Sequence, residues 1–291
     1  MIAVYGKSFK PSNAIFAQKL FDCVARHNLK IVVEENFLKV LTQNCAVKID
    51  APTFTDFEAI KKDVEFVFSM GGDGTILECV TFVREAQIPI VGINFGRLGF
   101  LANIGKDQIE QLVDAIVRGN YIIDKRALLA LDSNLPIFGN ECFALNEMTI
   151  QRKDNSSMIT VHTYLNGELL NSYWADGLIV STPTGSTGYS LSCGGPIIYP
   201  TSGNFVITPV APHNLNVRPM VVNDDVVLSF EVTGRSASFL CTLDSRFESI
   251  DKSYQIAVRK ANFSAHLVRL TDMNFLSALK NKLNWGIDQR N

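Results

Sequence analysis

Two textures of apolar and polar positions divide this chain. Up to about residue 120, short apolar runs alternate with stretches in which apolar residues recur every three or four positions. That alternation predicts strands and helices in turn, hence a mainly parallel sheet covered by helices. Ile2–Tyr5 reads as the first strand, and Ser12 as the cap of a helix whose Phe16, Leu20 and Val24 share a face beside Ala17 and Phe21. Leu29–Val33 is the next strand, followed by a short helix near Phe37–Leu41 and a variable connection containing Pro52. A strand over 64–69 runs into Gly71-Gly72-Asp73-Gly74, and Ile76, Leu77, Val80 and Val83 then show helical spacing. Ile88–Ile93 is another buried strand, and Asp107 with Glu110 resembles a capping box opening a helix that Gly119 ends.

From about 122 to 268 the helical period fades and short β patterns replace it. Ile159, Val161, Thr163 and Leu165 alternate with polar partners up to Asn166-Gly167, a favoured hairpin turn. Leu178-Ile179-Val180 reads as a buried strand, Val226–Val232 and Ser238–Leu243 flank a turn at Gly234-Arg235, and Tyr254, Ile256 and Val258 alternate. These patterns predict a β-rich, sandwich-like domain of two packed sheets. Phe275, Leu276, Leu279 and Leu283 form a stripe that is expected to fold back on the first domain. The expected division is therefore 1–122 plus 269–291 as a Rossmann-like α/β domain and 123–268 as the β-rich domain, with a cleft between them.

Composition narrows the function classes. With 291 residues, 47% hydrophobic and 19% charged, the chain is an ordinary folded protein. The net charge of −2 supplies no electrostatic footprint for nucleic acid. No apolar run approaches the ~18 residues of a membrane span. The N-terminus reads as a strand rather than as a leader. The six cysteines and four histidines are dispersed, with no CxxC pair, so no zinc framework is expected. A cytoplasmic protein with reduced thiols is the simplest account.

The chemistry centres on the glycine turn. Three glycines in four positions permit positive φ and close approach of a ligand to bare backbone. The N–H groups that open the following helix attract phosphate oxygens. Asp73 in their midst repels phosphate, so it has a purpose if the site holds a metal or takes a proton from a hydroxyl being phosphorylated. The plain alternative is a tight turn whose Asp caps a helix. Further along, Asp176 to Pro196 is a strand followed by a long loop dense in Ser, Thr and Gly, suited to ribose or phosphate oxygens or simply to the surface. Asn146-Glu147 suits a diol, or is an ordinary strand end. Arg97 in the loop after Gly92-Ile93-Asn94 can face phosphate, or that loop is a plain connection. Asp244, Arg246 and Glu248 alternate after a strand and read as a solvated strand end or as groups reaching a cleft or a neighbouring subunit. His162 and His213 read as structural, and Tyr173 and Trp174 as packing residues. Neither G-x-x-x-x-G-K-[ST] nor G-x-G-x-x-G after the first strand occurs.

Taken together, GGDGT at 71–75, GINFGRLGFL at 92–101, LNE at 145–147 and DGLIVSTPTGSTGYSLSCGGP at 176–196 resemble the NAD kinase family over essentially the whole chain. The turn alone is shared with diacylglycerol kinases and 6-phosphofructokinases; the Asn-Glu pair with the hydroxyl-rich loop is more specific. The resemblance implies transfer of the γ-phosphate of ATP, or of polyphosphate, to the 2′-hydroxyl of the adenosine ribose of NAD. It places the catalytic base on Asp73, flanked at the nucleotide by Gly72 and Gly74, and the ribose pair on Asn146 and Glu147. Dinucleotide contacts fall on Asp176, on Thr187, Gly188, Tyr189, Ser190, Leu191 and Ser192, and on Ala211. It also implies a divalent cation, Mg²⁺, carried with ATP rather than by a protein cluster, and a homo-oligomer, dimer or tetramer, with the site completed across subunits. Three positions depart from the family pattern: Trp174 stands where Arg is common, Gly188 where Ala is usual and Arg246 where Gln is common. Two rivals predict different chemistry. A lipid or sugar kinase of the same superfamily would consume ATP without NAD, and a non-catalytic dinucleotide sensor would bind without releasing ADP.

Overall fold

The computed structural model describes residues 1–96, 98–153 and 157–283. The chain forms two compact units, 1–125 with 265–291, and 126–264.

In the first unit the strands Thr53–Phe54, Ile31–Glu34, Ile2–Tyr5, Phe66–Met70 and Ile90–Asn94 lie side by side in that order, all parallel. Leu267 and Val268, near the end of the strand Ile256–Leu270, pair parallel with Ile90 and Val91. Strand order reverses at Ile2–Tyr5: the next strand in sequence lies on one side and Phe66–Met70 on the other. Ligands of such sheets bind beyond the carboxyl ends of the strands at this switch point. Met70 ends one of the two strands there, and Gly71–Gly74 follows it.

The expected elements occur with shifted ends. The first long helix, Ala14–Arg26, starts after a 3-10 turn, Pro11–Asn13, so Ser12 does not cap it. Asn13 stands at the cap position but makes no side-chain cap bond; its amide donates instead to the Phe95 carbonyl at 3.1 Å. Leu20, Val24, Ala17 and Phe21 are buried as the periodicity requires. The helix Glu35–Lys39 is capped by Glu34, whose carboxylate accepts from the N–H groups of Asn36 and Phe37, and it continues as a π turn, Val40–Asn44. The Asp107–Glu110 box does not form. Gln108 accepts from the Gly105 N–H at 3.0 Å, and the helix is Ile109–Arg118. Glu110 is drawn to Lys19 and Arg26 on the neighbouring helix, at 3.3 and 3.5 Å. Gly119, φ +69°, ends that helix as expected. The helix Phe275–Leu283 belongs to the first unit, with Leu279 buried.

The second unit is built from antiparallel strands. One sheet runs Met220–Asn223, Asn204–Val210, Gly177–Ser181, Glu147–Arg152, Phe239–Leu243, Arg246–Ile250. The other contains Glu168–Ala175, Ile159–Leu165, Leu228–Thr233 and the start of Ile256–Leu270. Leu228–Thr233 and Phe239–Leu243 are consecutive, yet they pair into different sheets, so the turn at Gly234-Arg235 carries the chain from one sheet to the other. Ile150, Leu178, Val180, Phe205 and Ile207 of the first sheet share a core with Ile159, Val161, Tyr173 and Phe230 of the second. Fully burying each such side chain contributes roughly 1.5–3 kcal/mol. Asn166 and Gly167 take positive φ, 50° and 87°, at the hairpin between Ile159–Leu165 and Glu168–Ala175.

Candidate functional site

The chain places one group of candidate residues in each unit. In the first, the strand Phe66–Met70 delivers the glycine turn and the helix Asp73–Val83 starts at the proposed base itself. The turn differs from expectation in its backbone: among the described glycines, those with positive φ are Gly119, Gly139, Gly167 and Gly194. The need at Gly71 is space, since a Cβ there would lie 2.2 Å from Thr75 Oγ1. Gly72 and Gly74 are exposed, and a Cβ on either would meet nothing within 4 Å, so they present bare backbone. Thr75 and Ile76 direct their N–H groups to the Gly72 carbonyl. Beside the turn a hollow of about 230 Å³ is lined by Ser8, Lys10, Asn13, Gly71, Gly72 and Asn94, among others.

The half-buried Asp73 is held firmly. Its Oδ1 accepts from the N–H groups of Leu101 and Ala102 at 3.1 and 2.8 Å, and its Oδ2 from Phe100 at 2.9 Å. The loop can wrap this carboxylate because Gly99 has no side chain. Farther along the same helix Glu78 accepts from Tyr5 Oη and Lys7 Nζ, both at 2.7 Å, which neutralises a second carboxylate on that helix. Arg97, the expected phosphate contact, lies outside the described residues. Among the described residues no group of three or more His, Cys, Asp or Glu comes together as a metal cage.

In the second unit, Leu145, Asn146 and Glu147 lead into the strand Glu147–Arg152. The Thr182 N–H donates to the Asn146 carbonyl at 2.9 Å, and Thr182 Oγ1 to the Leu145 carbonyl at 2.6 Å. Gly185 lies so close that a Cβ on it would sit 2.1 Å from the Asn146 oxygen. Glu147 Oε2 is buried and finds no hydrogen-bond partner among the described residues. Burial, with the Asp244 carboxylate nearby, pushes the Glu147 carboxyl up to about 8. Near neutral pH it is therefore mostly protonated and able to donate.

Most hydroxyls of the Ser/Thr-rich loop hold the loop rather than face outward. Ser186 Oγ donates to the Pro183 carbonyl at 2.7 Å and accepts from the Ile198 N–H at 2.9 Å. Ser190 Oγ and Thr208 Oγ1 share a buried hydrogen bond of 2.8 Å, and Thr187 Oγ1 donates to the Thr184 carbonyl at 3.2 Å. The short helix Tyr189–Ser192 leaves Tyr189 and Ser192 exposed and Leu191 half-buried. Gln151 donates to Tyr189 Oη at 2.9 Å, and Arg152 pairs with Asp176 at 3.0 Å. Gly188 faces the other carboxyl, since a Cβ on it would lie 3.2 Å from Glu147 Oε2.

Trp174 is 51% exposed while Tyr173 is buried, so only Tyr173 acts as a packing residue of the core. The Trp174 ring lies against His213 with centroids 4.1 Å apart, and the His213 N–H donates to the Trp174 carbonyl. Ala211, two residues before His213, has φ +44°. The Arg246 guanidinium donates to the carbonyls of Glu141 and Phe143 and also pairs with the Glu141 carboxylate. Sequence reasoning missed Asp244, which it read as a strand end or as a group reaching a cleft. The Asp244 carboxylate accepts from the N–H groups of Leu145, Asn146 and Glu147. It also passed over Gly99 as one of several turn glycines.

Comparison with known proteins bears on both groups. Residues 2–121 match the model of the ATP-NAD kinase N-terminal domain, and residues 145–270 that of the ATP-NAD kinase C-terminal domain. Proteins named NAD kinase from Cytophaga hutchinsonii and Flavobacterium johnsoniae are each 47% identical, covering all of this chain and 100% and 99% of theirs. One from Bacteroides fragilis is 38% identical over 99% of both chains. Among solved structures, yeast NADH kinase complexed with NADH aligns with a TM-score of 0.87 at 19% identity, over 99% of this chain and 88% of that one. An NAD kinase from Archaeoglobus fulgidus in complex with ATP aligns with a TM-score of 0.76 at 23% identity, over 97% and 98%. These two show a shared fold. On the strength of the family models and full-length relatives, this chain belongs to the ATP-NAD kinase family.

Proposed function

We propose that this chain is an NAD kinase that moves the γ-phosphate of ATP to the 2′-hydroxyl of the adenosine ribose of NAD, giving NADP and ADP. The observation that carries the reading is Asp73, fixed by three backbone N–H groups between two exposed glycines at the sheet's switch point, in a chain of this family. Full-length relatives named NAD kinase support it.

The reaction needs positioning and charge control more than covalent chemistry. A ribose hydroxyl is a weak nucleophile near pH 7. As its oxygen bonds to the γ-phosphorus, its proton passes to Asp73, the bond from phosphorus to the bridging oxygen breaks, and ADP leaves. A carboxylate oxygen accepts two hydrogen bonds, and Oδ2 holds one, from Phe100. The remaining lone pair is the acceptor for the hydroxyl proton. The backbone of Gly72 and Gly74 offers N–H groups to phosphate oxygens. A divalent cation, Mg²⁺, is expected with ATP. It is taken to be carried on the phosphates of ATP, and no step is assigned to a protein-held metal.

Asn146 and Glu147 hold the ribose diol, the protonated Glu147 donating one bond. Asp176, the segment from Thr187 to Ser192 and Ala211 contact the dinucleotide. Trp174 and Arg246 occupy positions where the family pattern differs, and they are assigned to the same substrate. A cytoplasmic homo-oligomer, dimer or tetramer, completes the reading. Among the described residues no helix is long and apolar enough to cross a membrane.

The test is one assay: purified protein, Mg-ATP and NAD, with NADP read by an NADP-specific dehydrogenase. NADH and polyphosphate replace NAD and ATP in parallel wells. NADP formation supports the reading. ATP consumption without NADP would point to another hydroxyl acceptor, and NAD binding without ADP release to a sensor.

A further inference from the structure

The proposed ribose pair, Asn146 and Glu147, sits where the β-ladder runs out. The strand Phe239–Leu243 pairs with Glu147–Arg152 as far as Leu243 opposite Met148. Beyond Leu243 the chain turns back into Arg246–Ile250. The N–H groups of Leu145 and Asn146 therefore need an acceptor other than that ladder.

Asp244 supplies it. Its Oδ2 accepts from the Leu145 N–H at 2.9 Å, and its Oδ1 from Asn146 and Glu147 at 2.8 and 3.2 Å. Its own N–H donates to the Glu147 carbonyl at 3.0 Å. One residue thus holds three successive residues, including both members of the pair. On the other side Thr182 takes the carbonyls of Leu145 and Asn146. The segment is locked by donors on one flank and an acceptor on the other.

The backbone of Asp244 shows what this geometry requires. Its φ is +52°, a left-handed conformation that disfavours residues with a Cβ. Glycine would fit there without strain but would leave three N–H groups unanswered. Asparagine also tolerates the conformation, yet it offers a single acceptor oxygen. Only aspartate combines a short side chain with two acceptor oxygens.

We propose that Asp244 is the positioning residue of the dinucleotide site, acting on substrate through the backbone of Asn146 and Glu147. This inference rests on the NAD kinase reading. Asp244 need not touch substrate: it sets where the amide and the carboxyl stand. Its carboxylate also faces Glu147, and Tyr189 and Arg246 are the other titratable groups set around this pair.

Two variants test it, Asp244→Asn and Asp244→Gly, because both accept the left-handed backbone. Asp244→Gly also keeps the N–H bond to Glu147. Each is checked for folding by thermal unfolding and assayed by steady-state kinetics. The expected result is a KM for NAD raised on the order of ten-fold, as for the loss of one or two hydrogen bonds. The KM for ATP is expected to stay close to the wild-type value. Adding Asn146→Ala to Asp244→Asn is expected to raise the KM for NAD by much less than the product of the single effects. An unchanged KM for NAD in both variants, or fully multiplicative effects in the double variant, overturns the proposal. So does a fall in thermal stability and kcat with both KM values intact. If the wild-type protein forms no NADP in the same assay, it is the underlying kinase reading that fails.

Discussion

The carboxylate of Asp73 fills the space a side chain at Gly99 would need: a Cβ there would lie 1.8 Å from Oδ1. The residue that carries the proposed chemistry and the loop that orients it are thus complementary surfaces. The Gly99 N–H in turn donates to the Ala102 carbonyl at 3.0 Å, which closes the loop around the carboxylate.

Gly99→Ala is expected to displace Asp73 or the loop, since 1.8 Å is far inside contact distance. NADP formation should fall about 10²-fold or more, approaching the effect of losing the base itself. NAD binding, read separately by calorimetry, should persist. Wild-type turnover by a folded Gly99→Ala protein would detach the observed position of Asp73 from catalysis.

Asp73→Asn keeps one oxygen for Leu101 and Ala102 but turns an NH₂ group toward the Phe100 N–H. The protein should fold with a stability loss of about 1 kcal/mol, the scale of one net hydrogen bond. Turnover should drop about 10²–10⁴-fold. Near-wild-type turnover would remove Asp73 from the role of base.

Glu147 gives the protein a pH signature of a defined sign. Its carboxyl is raised from 4.5 to about 8, first by burial and then by the Asp244 charge. Between those values the unfolded chain is ionised at this group while the folded one keeps its proton, so stability falls as pH rises through that window. Below 4.5 the group is protonated in both states and imposes no penalty; above about 8 the penalty is complete. Denaturant midpoints measured from pH 5 to 8 should decline in the wild type and decline less in Glu147→Gln. Equal slopes in the two proteins would show that Glu147 titrates normally.

Gly188→Ala brings a methyl group to about 3.2 Å from Glu147 Oε2. The same Cβ would lie 3.2 Å from the Gly185 carbonyl, so thermal unfolding of the variant is measured alongside binding. Added apolar contact should hold the Glu147 proton more tightly. The alkaline limb of NAD binding should therefore move to higher pH, and a shift to lower pH would contradict the contact.

Arg246→Gln removes the guanidinium that donates to the Glu141 and Phe143 carbonyls. Thermal unfolding should show a loss of roughly 1–3 kcal/mol, from two charge-assisted bonds only partly replaced by the shorter amide. An unchanged midpoint would mean that these bonds contribute little.

The strand–helix alternation, the crossover at Gly71–Gly74 and the Asn166-Gly167 hairpin were legible along the chain. Each depends on residues within about ten positions of one another, the range over which apolar periodicity and turn chemistry act. Element ends were less legible. Ser12 looked like a cap, but Pro11 starts a 3-10 turn ahead of the helix. Glu110 looked like half of a capping box, but two cations on another helix draw it away. The Ser/Thr-rich loop was conspicuous for its hydroxyls, yet which of them bond inward depended on carbonyls, N–H groups and hydroxyls up to 58 residues distant.

Local pattern by itself determined the two fold textures, the family motifs and the identity of Asp73, Asn146 and Glu147 as candidates. Tertiary structure alone decided that Leu228–Thr233 and Phe239–Leu243 enter different sheets, that Gly99 makes room for Asp73 and that Asp244 holds the Asn146–Glu147 segment. The physical reason is separation. The Asp73 carboxylate meets N–H groups 27 to 29 positions away, and Asp244 meets its own 97 to 99 positions away. A side-chain acceptor for a distant backbone donor leaves no period in the sequence, and only folding brings the two together.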